Sequence, residues 1–275
     1  MQVRLLDDPD LAVLRILFDA YFPEPPEGFF SSSYLNDFAL KKKISGDIVA
    51  ILQPRLEAVF KEVRCFGSAF LSKTAGHRSE LPLHQVDESE HIAVNVWTPL
   101  TDSRAENGSL QVLPRSHDFA QVRRAPTLPF FWQPHQEMVR DYLWTLDVKA
   151  GEAVILNQAL VHASPANATD HVRPAITTGL ISADAPMEFY YQTAPGELDV
   201  YRMEDDFLLR WEDFHSAIFQ RPTFGEVVRS EQYAHPERSQ AQFRTFLEGV
   251  RRPEPVAPSF FRKIWNRCRG TSIDA

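Results

Sequence analysis

The chain has 275 residues, 44% of them hydrophobic, enough to bury a sizeable core in one large domain or in one domain with an appendage. The 29 basic and 37 acidic residues give a net charge of −8, which repels polyphosphates, so a small molecule is a better candidate partner than a nucleic acid. No apolar segment is both long enough and free enough of polar residues to predict a membrane span.

The N-terminal part is predicted to be helical. The apolar run at residues 11–22 is interrupted by Arg15 and Asp19 and follows three aspartates, so we predict an amphipathic helix and not a signal peptide. Helical spacing continues to about residue 63 and predicts two or three helices. The basic run 41–43 is interpreted as solvated surface.

Near residue 66 the sequence pattern changes to short β-branched or alternating segments bounded by Gly, Pro, Asn or Asp. Six or more such strands predict a mostly β protein with flanking helices, a sandwich or barrel. We divide one structural domain into N-terminal helices (1–64), a β core (65–200) and a helical C-terminal extension (201–275). Within the core, residues 118–148 form a proline-punctuated insertion of the kind that serves as a lid or substrate-binding loop.

The two cysteines, Cys65 and Cys268, are too far apart in sequence to form a metal-binding CxxC pair. Free thiols are typical of a cytoplasmic protein, and we predict that location, with a disulfide between the two left open. The oligomeric state is not readable from the sequence.

Two segments offer candidate metal ligands. LPLHQVDESEH (81–91) contains His84 with Asp87 close behind, and LVHASPANATDHVRP (160–174) contains His162 followed by Arg173. Two imidazoles and one carboxylate on one face of a metal leave the other face open, as in non-haem Fe(II) oxygenases. His84, Asp87 and His162 are therefore the candidate metal-binding and catalytic residues.

The spacing between His84 and Asp87 leaves two alternatives. Asp87 comes one position too late for strict strand alternation, and a β-bulge would return it to the inner face. Otherwise Val86 faces the metal, and a water or an anion fills that coordination position. The same segment also offers fallback ligands, namely Glu88, Glu90 and His91.

His162 is predicted to end a buried strand that runs over residues 154–164. Arg173 precedes another strand-like run. An inward guanidinium would need a carboxylate or phosphate partner, which predicts an acidic small molecule, whereas an outward one is an ordinary surface cation.

The ordered set LPLHQ, NVWTPL, ENGSLQVLPRSH, GEAVILNQALVHASPAN and RPAITTG resembles the phytanoyl-CoA dioxygenase family of Fe(II)- and 2-oxoglutarate-dependent oxygenases, over about residues 66–191. The resemblance implies a double-stranded β-helix (a cupin-like jelly roll). It also implies that His84 and His162 bind iron, that Arg173 binds the far carboxylate of 2-oxoglutarate, and that Ser164 and Trp97 line the co-substrate site. His117 would have a structural role.

The expected reaction is hydroxylation of an unactivated C–H bond in a small, apolar organic substrate, with O₂ consumed and 2-oxoglutarate converted to succinate. Substrate contacts are expected from residues 130–144 and 187–191. Family members usually read LPLHQD, whereas this chain reads LPLHQVD. Either Asp87 takes the ligand position or the carboxylate ligand is missing, and the alternatives are then a noncatalytic binding protein or a halogenase.

Overall fold

The computed structural model describes residues 1–85, 93–119 and 122–250. Several residues weighed above lie outside the described ranges, namely Val86, Asp87, Glu88, Glu90, His91 and Cys268.

The described ranges contain α-helices, short 3-10 helices and strands. The α-helices are α1 (Asp8–Tyr21), α2 (Phe38–Val59), α3 (Ser116–Phe119), α4 (Gln136–Arg140), α5 (Phe207–Arg210), α6 (Phe214–Ala217) and α7 (Gln240–Val250). The 3-10 helices are Ser32–Tyr34, His77–Ser79, Ala105–Asn107 and Gln133–His135. The strands are β1 (Gln2–Arg4), β2 (Phe29–Ser31), β3 (Val63–Lys73), β4 (Leu81–His84), β5 (Ala93–Pro99), β6 (Gln111–Val112), β7 (Trp144–Thr145), β8 (Glu152–Asn157), β9 (His162–Ser164), β10 (Arg173–Ser182), β11 (Glu188–Ala194), β12 (Glu197–Arg202) and β13 (Glu226–Gln232).

From β3 to β10 the chain passes repeatedly between two antiparallel sheets. The large sheet has the order β1-β8-β5-β10-β3-β2, and the small sheet has the order β4-β9-β6-β7. Successive core strands therefore fall in different sheets, apart from the β6–β7 pair. This alternation is the topology of a double-stranded β-helix, and it confirms the predicted jelly roll with flanking helices.

The N-terminal helices cover the outer face of the large sheet. Asp7 caps α1 by accepting from the Asp10 backbone N–H, and Leu14 and Phe18 face inward at helical spacing. They pack with apolar residues of α2 and with outward residues of the sheet, such as Val96. Both helices lie in the region for which N-terminal helices were predicted. Two short strands in the same region, β1 and β2, extend the large sheet at its edges.

The extension predicted to be helical also contains β13, which pairs with β12 in a third sheet, β11-β12-β13. The expectation of a helical extension is therefore corrected for residues 226–232. Cross-strand charge pairing favours the strand, because the Arg229 guanidinium binds Glu188 on β11 at 2.6 Å. Within the described residues, no helix is long and apolar enough to cross a bilayer.

Aromatic residues of the insertion pack mainly on one another and on α7. Phe131 and Trp132 are buried with Phe243 and Leu247. The same cluster includes Ala163, so it covers the outer face of the small sheet. These two aromatic residues of the insertion are therefore core residues, and their side chains leave little surface for contact with a substrate.

The inner face of the large sheet is tightly packed at Gly179. A Cβ atom at this position would lie 2.2 Å from the Phe66 ring, so we expect Gly179→Ala to lower the free energy of unfolding by about 1–3 kcal/mol. Gly46 lies inside α2, where an added Cβ meets nothing within 4 Å. Gly46→Ala should therefore raise the free energy of unfolding by about 0.5–1 kcal/mol. Urea unfolding of both variants measures the difference. Equal shifts would contradict the close Phe66 contact.

Candidate metal and anion site

Strand pairing brings together two histidines that are distant in sequence. His84 ends β4 and His162 begins β9, and the two are paired across the small sheet. Their ring centroids lie 4.1 Å apart. The structure thus brings two of the predicted site residues side by side.

His162 begins a strand of its own, contrary to the prediction of one continuous strand over residues 154–164. The Asn157 side chain accepts a hydrogen bond from the Ala159 N–H at 2.8 Å, and the Leu160 N–H donates to the Asn157 carbonyl at 2.9 Å. These bonds close a turn that takes the chain out of the large sheet after β8 and into the small sheet at β9. The turn places His162 opposite His84.

Hydrogen bonds fix the orientation of both imidazoles. Nδ1 of His84 donates to the Pro82 carbonyl at 2.7 Å, and Nδ1 of His162 donates to the Leu160 carbonyl at 2.8 Å. Burial, and then the neighbouring His162 ring, lowers the pKa of His84 to about 3, and burial also lowers the pKa of His162. Both rings are therefore neutral near pH 7, with a lone pair on each Nε2. Adjacent, neutral imidazoles with free Nε2 lone pairs suit a transition-metal cation.

Arg173 points into the barrel. It begins β10, is 3% exposed, and places Cζ 5.3 Å from the centroid of the Trp97 ring on β5. Within the part of the chain that the structure describes, its Nε and Nη1 atoms have no hydrogen-bond partner. Burial lowers the pKa of Arg173 to about 10. Of the two alternatives for Arg173, the structure has the inward one, which calls for an anion.

Lys73 is a further candidate that the sequence reasoning missed. It ends β3 directly opposite Arg173 and is fully buried. Its Nζ donates to the carbonyls of Ser164 and Pro165 at 3.1 and 2.5 Å. Burial, and then Arg173, lowers the pKa of Lys73 to about 7. Two buried cations on adjacent strands form a pocket for an acid, and strand alternation inward from Leu71 was the signal that could have found Lys73.

Of the remaining predicted residues, Trp97 and Ser164 contact this site and His117 does not. Trp97 contacts Arg173, and Ser164 lies on β9 beside Lys73. His117 lies in α3, where Nε2 is 3.5 Å from Asp118 Oδ1, and it is not part of the His84–His162 pair. Burial lowers its pKa.

The register gives the site a direction. Leu81 pairs with Ser164, whose carbonyl contacts Lys73, so the start of β4 lies at the Lys73–Arg173 end of the barrel. His84 lies three residues farther along β4. The cationic pocket and the imidazole pair therefore occupy successive positions along the barrel. This order fits a dicarboxylate that reaches from the cations to a metal on the histidines.

The described residues contain no group of three or more His, Cys, Asp or Glu side chains placed to hold a metal ion, so they supply no third ligand of these types to the histidine pair. Asp87, the predicted carboxylate ligand, is outside those ranges. The two histidines therefore fit a metal but do not by themselves complete its coordination.

Residues 26–175, more than half of the chain, match the sequence profile of the phytanoyl-CoA dioxygenase family. The chain belongs to this family. The resemblance found from the ordered motifs is thus confirmed, and the matched region includes His84, His162 and Arg173.

The chain is 26% identical over 148 residues to a zebrafish (Danio rerio) phytanoyl-CoA dioxygenase domain-containing protein 1, over 48% of this chain. The alignment spans about half of that relative, 51% of its length. Among solved structures, EvdO2 from Micromonospora carbonacea var. aurantiaca is 17% identical, with a TM-score of 0.49, covering 66% of this chain and 84% of that one. HygX from Streptomyces hygroscopicus, solved with nickel and 2-oxoglutarate bound, is 17% identical, with a TM-score of 0.48, covering 67% and 82%.

Proposed function

We propose that the protein is an Fe(II)- and 2-oxoglutarate-dependent dioxygenase that hydroxylates an unactivated C–H bond of a small organic substrate. One observation carries the proposal. Two neutral imidazoles lie next to a buried guanidinium that lacks hydrogen-bond partners within the described residues, inside the jelly roll of a phytanoyl-CoA dioxygenase family member.

In this proposal Nε2 of His84 and of His162 hold Fe(II), and Asp87 is the third ligand. When bound, the metal and 2-oxoglutarate supply the oxidising chemistry: O₂, 2-oxoglutarate and the substrate C–H group yield succinate, CO₂ and the alcohol. Arg173 binds the far carboxylate of 2-oxoglutarate through its planar fork. Trp97 and Ser164 line the same co-substrate site.

The protein contributes positioning and exclusion of water. The carbonyls of Pro82 and Leu160 fix the two imidazoles in one tautomer and one orientation. Partners of this kind typically change metal affinity or activity by about 10- to 100-fold. His162 is buried and His84 is half-buried, which limits the access of bulk water to the pair.

The carbon skeleton of the substrate is proposed to be mainly apolar and to contact residues 187–191. Tyr190 and Met187 are buried, whereas Phe189 and Tyr191 are half-buried. Among the insertion aromatics, Phe130 remains half-buried. The cytoplasmic location proposed from cysteine usage suits an enzyme that needs reduced iron.

Anaerobic Fe(II) titration, followed by admission of O₂ and measurement of the succinate formed from 2-oxoglutarate, tests the proposal. We expect one Fe(II) per chain and slow succinate production even without substrate. A protein that binds 2-oxoglutarate and produces no succinate would favour the noncatalytic alternative. Incorporation of chloride into an oxidised substrate would favour the halogenase.

Lys73 gives the proposed co-substrate site a pH dependence. Its pKa near 7 means that the free protein loses this positive charge as the pH rises above 7, so 2-oxoglutarate, a dianion throughout, should bind more weakly. We expect Kd to rise by up to about tenfold per pH unit between pH 7 and 9. Lys73→Met should weaken binding at pH 6.5 by about tenfold or more and flatten this profile. Isothermal titration at several pH values measures both effects.

Lys149→Met is the matched control, because Lys149 is exposed and pairs with Asp102 at the surface. It should leave affinity and pH profile unchanged. A wild-type Kd that stays constant from pH 6.5 to 9 would contradict the role given to Lys73.

A further inference from the structure

A pair of amide side chains lies on the inner face of the large sheet. Val94 and Val96 on β5 face outward and pack with the N-terminal helices, so Asn95 between them faces into the barrel. Gln158 follows β8, is 3% exposed, and donates from Nε2 to Asn95 Oδ1 at 2.9 Å. The strand alternation and the hydrogen bond agree on the inward direction of both side chains.

The Asn95–Gln158 pair uses only part of its hydrogen-bonding capacity. Two primary amides offer four N–H donors and two carbonyl acceptors, and one of each is used in their mutual bond. Within the described residues neither side chain makes another hydrogen bond. The pair therefore presents spare donors and a spare acceptor side by side.

Gln85 adds a third amide at the same end of the barrel. Its Nε2 donates to the carbonyl of Ala159, the residue after Gln158. Its Oε1 is buried and has no partner among the described residues. Because buried polar atoms are normally hydrogen-bonded, an unpartnered one beside two incompletely used amides indicates a ligand group that completes them.

The register places these amides beyond the histidines, away from the cationic pocket. Asn95 pairs with Gly179, which is six residues along β10 from Arg173, or about 20 Å. Gly179 pairs in turn with Gly67, where an added Cβ would meet nothing within 4 Å. The Phe66 ring lies over Gly179, directly beside Asn95, so a molecule bound by the amides would lie against this ring. A molecule there would lie on the opposite side of the metal from 2-oxoglutarate.

We propose that Asn95, Gln158 and Gln85 form a substrate subsite that recognises a neutral hydroxyl or carbonyl group near the C–H bond to be oxidised. The inference rests on the proposed function, since it takes the molecule beyond the histidines to be the substrate. A hydroxyl group both donates and accepts, which matches the mixed capacity of paired amides. The subsite thus selects an oxygenated substrate from among apolar skeletons of the same size.

A fragment comparison tests this subsite without knowledge of the natural substrate. The probes are cyclohexanol, cyclohexanecarboxamide, cyclohexanecarboxylate and methylcyclohexane. Binding to the protein loaded with Zn(II) and 2-oxoglutarate is measured by ligand-observed NMR, and the titration is repeated on the metal-free protein. We expect the neutral polar probes to bind about threefold to tenfold more tightly than methylcyclohexane.

Asn95→Leu and Gln158→Leu should each remove this preference. Gln111→Leu is the matched control, because Gln111 lies on β6 and donates to Thr145 Oγ1 on the neighbouring strand; it should retain the preference. Circular dichroism checks that each variant folds, and the conservative Asn95→Gln variant should restore part of the preference where Asn95→Leu removes it.

Equal binding of cyclohexanol and methylcyclohexane by the wild type would overturn the proposal. So would tighter binding of the carboxylate, which would shift recognition to Arg124, whose Nη2 lies 3.4 Å from the Gln85 carbonyl. If Asn95→Leu weakens 2-oxoglutarate binding as much as cyclohexanol binding, the amides belong to the co-substrate site and the proposal is wrong. Failure of the wild type to bind Zn(II) and 2-oxoglutarate contradicts the proposed function instead, and the metal-free titration then decides the fragment preference alone.

Discussion

Replacing His162 with alanine is expected to lower the affinity for Fe(II) by at least about 100-fold. Structural zinc sites with four ligands bind with about 10–16 kcal/mol in total, so one ligand accounts for several kcal/mol. His162, like His84, has a partner ring beside it and a tautomer fixed by a backbone carbonyl. Anaerobic calorimetric titration with Fe(II), or with Co(II) followed by its visible spectrum, measures the loss.

His171→Ala is the matched control. His171 is exposed, and Asn167 contacts only its backbone carbonyl, so removal of the side chain leaves that hydrogen bond intact. We expect wild-type metal affinity in this variant and a loss in His84→Ala similar to that in His162→Ala. If His162→Ala retained full metal affinity while folding normally, the proposed metal site would be incorrect.

Local patterns in the sequence predicted the main parts of this site because the site is built on strands. The family resemblance carried by the ordered motifs assigned His84, His162 and Arg173 to one barrel, whereas strand alternation alone left the direction of Arg173 open. The pairing of β4 with β9 and the inward direction of β10 then bring these side chains together. The strand pattern predicted a sandwich or barrel, and the resemblance implied the jelly roll that the structure has.

The turn at Asn157 was not predictable from apolar patterning alone. Residues 154–164 are mainly apolar, and this composition is compatible both with one buried strand and with a strand–turn–strand unit. The deciding interaction is one side-chain hydrogen bond, from the Ala159 N–H to Asn157 Oδ1. Such a local bond competes with extended structure, and apolar patterning does not register it.

The burial of Lys41 and Lys73 was not predicted, for a different reason. Lysine is normally exposed, so Lys41 and Lys73 carried no signal of burial by residue type. Lys41 was interpreted as solvated surface, but it is 2% exposed and its Nζ donates to the Trp211 carbonyl at 2.6 Å. In each case the compensating acceptor is a backbone carbonyl that is more than 80 positions away in sequence. Composition and spacing contain no information about such partners.

Arg173→Met is expected to have opposite effects on stability and on binding. Without an acid, the wild type buries a cation that lacks hydrogen-bond partners at Nε and Nη1 within the described residues. Methionine fills similar space without charge, so the free energy of unfolding should rise by about 1–3 kcal/mol. In contrast, 2-oxoglutarate affinity should fall by about 100-fold or more, because the far carboxylate loses its buried partner.

Thermal unfolding with and without 2-oxoglutarate shows both effects in one measurement. At 100 times the wild-type Kd, 2-oxoglutarate stabilises the wild type by about 2.7 kcal/mol and should add almost nothing to the stability of Arg173→Met. The stability advantage of the variant over the wild type should therefore shrink or reverse when the acid is present. Arg173→Lys keeps the charge but loses the planar fork, so it should bind at an intermediate level. Arg78→Met, at an exposed arginine paired with Glu27, should respond to 2-oxoglutarate as the wild type does. If 2-oxoglutarate stabilised Arg173→Met as much as the wild type, the guanidinium at the start of β10 would not contribute to its binding. The acid would then bind elsewhere.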